Sequence, residues 1–204
     1  MAWTKCKLEL TGVAPLLMHR LIPEVLTKNE EIMAGLPDPE PSKKHSPEWE
    51  EWAWREWRRT SYWKEGTDNQ PGYLYIPGSA IEGTIRDAGK GDKINKVTAW
   101  KVIQSAFYCD GLEFPLITDT VIESLDDVEE AGWVVTHAVR IQSARIPRRR
   151  ICVPVPWKCT IKCMVETNVV PKGKFESLVE RAGDLVGILD WRPKYGRFKV
   201  KVVW

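Results

Sequence analysis

The chain has 204 residues, 43% of them hydrophobic and 28% charged, with a formal net charge of +2. Those values suit one domain with insertions, and no segment approaches the ~20 apolar residues of a membrane-spanning helix. Five scattered cysteines without a CxxC pair argue against a disulfide framework and a zinc site, so the expectation is reduced thiols with no cofactor and no metal.

The opening "MAWTKCKLEL" alternates like a strand and does not resemble a signal peptide, which points to a cytoplasmic protein without membrane partners. Cys6, Leu8 and Leu10 fall on one side and Lys5, Lys7 and Glu9 on the other, as in a half-buried strand. Gly12 and Pro15 mark its exit. "AGLPDPEPSKKHSPEWE" reads as an insertion. In the following "EWEEWAWREWRRTSYW", Glu51/Arg55 and Glu56/Arg59 have helical spacing, and Trp49, Trp52, Trp57 and Trp63 share about half the helical circumference while Trp54 lies off it. Those rings either dock the insertion on the body or form a subunit contact or a base-stacking surface.

Ser79 and Glu82 have capping-box spacing, which predicts a helix from near Ser79 that closes at "AGKGDK". "INKVTAWKVIQSAFY" is ambiguous between helix and strand. The charge then separates: Asp110 to Glu130 holds eight acids and no base, and Ala131 to Val165 holds seven bases and no acid. The basic half, with Arg140, Arg145, Arg148, Arg149, Arg150, Lys158 and Lys162, is either a solvated face or a polyanion site, and its β-rich first part reads as an arm. From Trp157 to Val165 alternation returns, Phe175, Leu178, Val179, Ala182 and Val186 mark a helix, and Phe198, Val200, Val202 and Trp204 alternate in a last strand.

The element order fits an α+β, ferredoxin-like β-α-β-β-α-β unit spanning 1–204, with a Trp-rich helical insertion at about 20–72 and a thumb-like arm at about 106–153. If the outward sides of the three best strands share the open sheet face, Lys5, Lys7, Lys158, Lys162, Lys199 and Lys201 make it an electropositive floor.

Near the end, "GILDWRPKYGRF" raises a question of chemistry. Gly183, Gly187 and Gly196 stand where a chain needs positive φ or close backbone approach. A turn with exposed amides, backed by Arg192, Lys194 and Arg197, can hold phosphate, while Trp191 and Tyr195 can stack on bases. "LTGVAPLLMH", "YIPGSAIEGTIRDAGK" and "GILDWRPKYGRFKV" together resemble the RAMP superfamily of CRISPR systems, and within it the backbone subunits that polymerise along a guide RNA. The last segment is also similar to prophage proteins ending in "DWRP-YGRF", and Leu189 and Asp190 stand where the family loop commonly has small residues.

The resemblance implies the ferredoxin-like fold and a groove holding single-stranded RNA, or single-stranded DNA in a phage-type relative. Arg145, Arg148, Arg149 and Arg150 of a thumb would contact phosphate, with His19 and Arg20 facing the groove. It also implies a helical homo-oligomer and other CRISPR effector subunits as partners, with the acidic segment meeting a neighbour's basic surface or standing solvated.

The family also contains endoribonucleases, for which His19 is the catalytic candidate; His45 and His137 have no evident partner, and Asp38 lies in an insertion like those from which some backbone subunits supply a cleaving aspartate, though a loop acid there reads as solvated. No Walker loop, GxSxG, HExxH or paired-carboxylate motif is present. The sequence therefore favours a non-catalytic binder of single-stranded nucleic acid, with a phage-type DNA binder and a RAMP-type endoribonuclease as alternatives.

Overall fold

A computed structural model describes residues 3–20, 57–141 and 144–204, with side chains described outside 140–147. The chain is an α+β protein built on a largely antiparallel sheet. Strand β1 (Trp3–Gly12) pairs on one side with β11 (Lys158–Glu166) and on the other with β12 (Phe198–Val203). Beyond β11 come β7 (Phe107–Cys109) and β8 (Glu113–Ile117), and then β4 (Tyr73–Pro77) and β3 (Trp63–Lys64).

The pleat explains why these strands sort as they do. Along β1, Cys6, Leu8 and Leu10 are buried while Lys5, Lys7 and Glu9 are exposed, and β11 repeats the pattern with Cys159, Ile161 and Cys163 inside. Two helices cover the buried face. Helix α1 (Gly78–Ala88) buries Ile81, Thr84, Ile85 and Ala88. Of the later helices, α2 (Ala99–Ala106), α3 (Leu125–Glu130) and α4 (Lys172–Arg181), the last buries Phe175, Leu178 and Val179. Each large apolar side chain so buried contributes about 1.5–3 kcal/mol.

Trp157, fully buried, anchors the chain where β1 ends, donating its Nε1–H to the Ala14 carbonyl at 2.9 Å. That anchor fixes the turn leading to β2 (Leu16–Met18). Strand β2 pairs with β10 (Ala144–Val153), which pairs in turn with β9 (Val134–Ile141). Strands β9 and β10 of this three-stranded sheet lie within the 106–153 segment read as an arm, whereas residues 107–117 of that segment belong to the main sheet.

Several local expectations change. The capping box at Ser79 and Glu82 does not form: Pro77 is the N-cap of α1, and Glu82 Oε1 accepts the Cys109 amide at 2.8 Å. A capping box forms instead at Ser124 and Asp127, opening α3 in the acidic segment. The ambiguous stretch after α1 resolves into a hairpin, β5 (Lys93–Ile94) with β6 (Val97–Thr98), followed by α2 and β7. Of the Trp-rich stretch, Trp49, Trp52, Trp54 and the Glu51/Arg55 pair lie outside the described residues. Trp57 is buried in the core, and Trp63 opens β3 rather than lying on a helix. Four of the five cysteines are buried free thiols and Cys152 is half-buried. Among the described residues, no helix is long and apolar enough to cross a membrane.

Candidate nucleic-acid interface

Three pieces of chain meet at one end of the fold: the β9–β10 arm, helix α1 and the loop between α4 and β12. A π-helical turn, Ala182–Val186, continues α4 and stops at Gly187, whose φ is 74° and whose amide donates to the Ala182 carbonyl at 2.8 Å. From there the loop folds on itself and onto the turn between β1 and β2. Ile188 N donates to Gly196 O (2.9 Å), Asp190 N to Leu17 O (3.1 Å) and Gly196 N to Pro15 O (2.8 Å).

The glycines thus have a structural reason. A Cβ on Gly196, at φ +71°, would lie 1.9 Å from the Ile188 carbonyl oxygen, and Gly183 lies against the Phe198 backbone. Leu189 and Trp191 take φ values of 64° and 51° without being glycine, a conformation that costs about 1–2 kcal/mol each and needs support from around it. The expectation of a row of amides open to phosphate requires revision, because those of Gly187, Ile188, Asp190, Tyr195 and Gly196 are spent inside the protein.

Much of the support comes from Arg150. It is 3% exposed, forms an ion pair with Asp190 Oδ2 at 2.8 Å, and stacks its guanidinium 5.0 Å from the centre of the Trp191 ring. Arg150 is therefore a strut between arm and loop, not an open phosphate contact. His137, across the hairpin from Arg148, meets the Trp191 ring edge-on at 4.8 Å and the Tyr195 hydroxyl at 3.2 Å. The partners missing for His137 at the level of sequence lie on this loop.

His19 accepts at Nε2 from Arg148 Nη1 at 2.8 Å. Burial first, and then the charges of Arg148 and Arg150, push its pKa down to about 4. The ring is neutral at pH 7, with its lone pair already occupied, which makes it a poor general base. Because successive strand residues face opposite sides, Arg149 points away from Arg148 and Arg150 and is half-exposed beside Thr136. Arg140 and Arg145 are register partners further out along the arm.

Between α1 and the loop lies a cleft of about 270 Å³. One wall is α1, with Ser79, Ala80, Gly83, Thr84, Arg86 and Asp87; the other is Leu189, Asp190 and Arg192, with His19 and Tyr62 at the sides. Thr84 is buried and donates to the Gly187 carbonyl at 3.1 Å, while Arg192 reaches Thr84 Oγ1 at 3.4 Å and Asp87 at 3.5 Å. Arg192, Lys194 and Arg197 are exposed on the loop, and Trp191 and Tyr195 are half-buried. Arg20, whose amide donates to Thr60 O at 2.6 Å, is exposed at the cleft's Tyr62 side. Ala80 and Gly83 leave the α1 wall of the cleft low. Arg86 adds a cation that stands alone in the sequence, outside any basic run, and so gives no signal there.

Two expected residues do not join this group. Lys158 and Lys162 project from the opposite face of the main sheet, with Lys5, Lys7, Lys199 and Lys201. Asp38 and His45 lie outside the described residues. The acidic segment is partly engaged internally, since Arg58 pairs with Asp126 and approaches Glu129 at 3.7 Å. Among the described residues, no group of three or more His, Cys, Asp or Glu is arranged to hold a metal ion. A scan against protein-family models and a search of curated proteins find no match to this chain.

Proposed function

We propose that the chain is a non-catalytic, single-stranded nucleic-acid-binding protein of RAMP type, which coats a guide-like RNA as a repeated subunit in a CRISPR-type effector. The fold part of this reading is supported by the order β12-β1-β11-β7, with α1 between β1 and β7 and α4 between β11 and β12. That connectivity supports a ferredoxin-like reading in which the arm, α2, α3 and the small strands are additions.

The observation that carries the binding reading is the convergence of the arm, the α1 cleft and the cationic loop at one end of the molecule. Arg192, Lys194 and Arg197 supply charge along a phosphate track, and the Trp191 and Tyr195 rings stand beside them for stacking on unpaired bases. Asp190, Arg150 and His137 hold those rings in place. His19 acts as a positioning residue for Arg148, an arrangement that disfavours the endoribonuclease alternative.

The direct test is to purify the protein without nuclease treatment and digest any co-purified polymer separately with ribonuclease and deoxyribonuclease. Retained RNA of defined length is the expected result. Retained DNA would transfer the assignment to a phage-type DNA binder, and nucleic-acid-free protein that binds neither polymer would refute the reading.

A further inference from the structure

The sheet face opposite the helices carries chemistry that the cleft does not use. Phe107 turns inward against Phe175 of α4, with ring centroids 5.2 Å apart, so its neighbour Tyr108 points to the other side. There Tyr108 is 44% exposed and lies 5.2 Å from the ring of Trp3, itself 37% exposed. Large rings left in solvent as a pair at the end of a lysine-lined sheet form a platform on which bases stack.

The lysines beside that platform are placed by register. Lys5 and Tyr108 flank Met164 of β11 on either side, and one pleat further along Lys7 lies directly opposite Lys162. Like charges directly opposite across a ladder destabilise a sheet, so this pair works against the fold that displays it. Lys5, Lys7 and Lys162 border a depression of about 450 Å³, which Asp110, Val203 and Trp204 also line. Among the described residues none of these three lysines has an ion-pair partner, whereas Lys201 and Lys199 are matched by Glu9 at 3.5 Å and Asp184 at 2.8 Å.

We infer that this face is a second binding surface for single-stranded nucleic acid, with the Trp3–Tyr108 pair stacking bases and Lys5, Lys7 and Lys162 holding phosphate over the depression. It extends the proposed function to a second track and rests on that reading for the class of ligand. A nucleic acid fits better than an acidic peptide because the cations come with exposed rings.

The test compares labelled oligouridylate and oligothymidylate by fluorescence anisotropy across a potassium chloride series. The proteins are the wild type, Trp3→Ala/Tyr108→Ala, Lys162→Glu, and the cleft variant Arg192→Ala/Lys194→Ala. The ring variant should bind about tenfold more weakly for each base that no longer stacks. Lys162→Glu should flatten the plot of log affinity against log salt by about 0.7 for each phosphate it no longer neutralises. It should at the same time unfold close to the wild-type temperature, because the new carboxylate lies across from Lys7 on one side and beside Asp110 on the other. A residue with only a structural role cannot give lower affinity together with near-wild-type stability.

If only the cleft variant loses affinity, the second surface is refuted and the proposed function stands. If only the face variants lose affinity, the second surface stands and the cleft assignment fails. Loss in both sets supports two tracks. Wild-type protein that binds neither oligonucleotide, or releases them to polyglutamate as readily as to unlabelled oligonucleotide, refutes the inference.

Discussion

Arg150→Ala separates a strut from a ligand contact. In the folded protein the Arg150 side chain is 3% exposed and pairs with an Asp190 side chain that is 28% exposed. Removing one member of a buried pair costs about 3–5 kcal/mol, and the partial exposure of Asp190 brings this to about 2 kcal/mol. Loss of the stack on Trp191 adds about 1 kcal/mol. The expected total of about 3 kcal/mol is a shift of about 1.5 M in the urea midpoint for an m-value near 2 kcal/mol/M. Arg150→Lys should fall in between, because an ammonium keeps the charge and loses the planar stack. A double-mutant cycle with Asp190→Asn should return a clear coupling energy. If Arg150→Ala unfolds within about 0.5 kcal/mol of wild type and loses nucleic-acid affinity instead, the residue is a phosphate ligand and the strut is wrong.

Gly196→Ala should cost more than about 3 kcal/mol, because it adds backbone strain to a contact of 1.9 Å with the Ile188 carbonyl oxygen; thermal unfolding checks this, and a loss below about 1 kcal/mol would contradict the loop geometry. Acidification should destabilise the fold. His19 titrates near 4 when folded and near 6.5 when unfolded, so between those values the unfolded chain binds the extra proton and stability falls as pH falls. With a discount for the ring's partial exposure, the loss from pH 7 to pH 5 is about 1 kcal/mol, and His19→Gln should remove that part of the pH dependence. Identical urea midpoints against pH for wild type and His19→Gln would contradict it.

What was legible in the sequence was what repeats locally. The alternation of β1, β11 and β12 places the same residues in and out as the folded sheet does, because a pleat has period two whatever surrounds it. The apolar spacing of α4 was equally plain. The helix opening at Gly78 was legible in position but not in its cap, since Glu82 serves an amide 27 residues away. The hairpin before α2 was hidden because Asn95 and Lys96, at φ 49° and 68°, turn the chain without a glycine.

At the candidate site the composition showed the cations but not their employment. Arg148, Arg149 and Arg150 read as one cluster, and the strand divides them between two faces. The acid-free basic segment looked uncompensated because its carboxylate, Asp190, arrives from the loop before β12. His137 reads as isolated in the sequence because Tyr195 lies 58 residues away.

The most direct measurement is the affinity of the wild-type protein and of Arg192→Ala/Lys194→Ala/Arg197→Ala for single-stranded RNA, followed by anisotropy across a salt series. The account predicts a steep linear fall of log affinity with log salt for the wild type. In the variant the slope should be shallower by about 2, from about 0.7 for each of the phosphates the three cations neutralise, with a stability loss of no more than about 1 kcal/mol from the partly exposed Arg192–Asp87 pair. A wild-type affinity that is flat with salt, or a variant indistinguishable from wild type, would contradict the claim that this loop tracks phosphate.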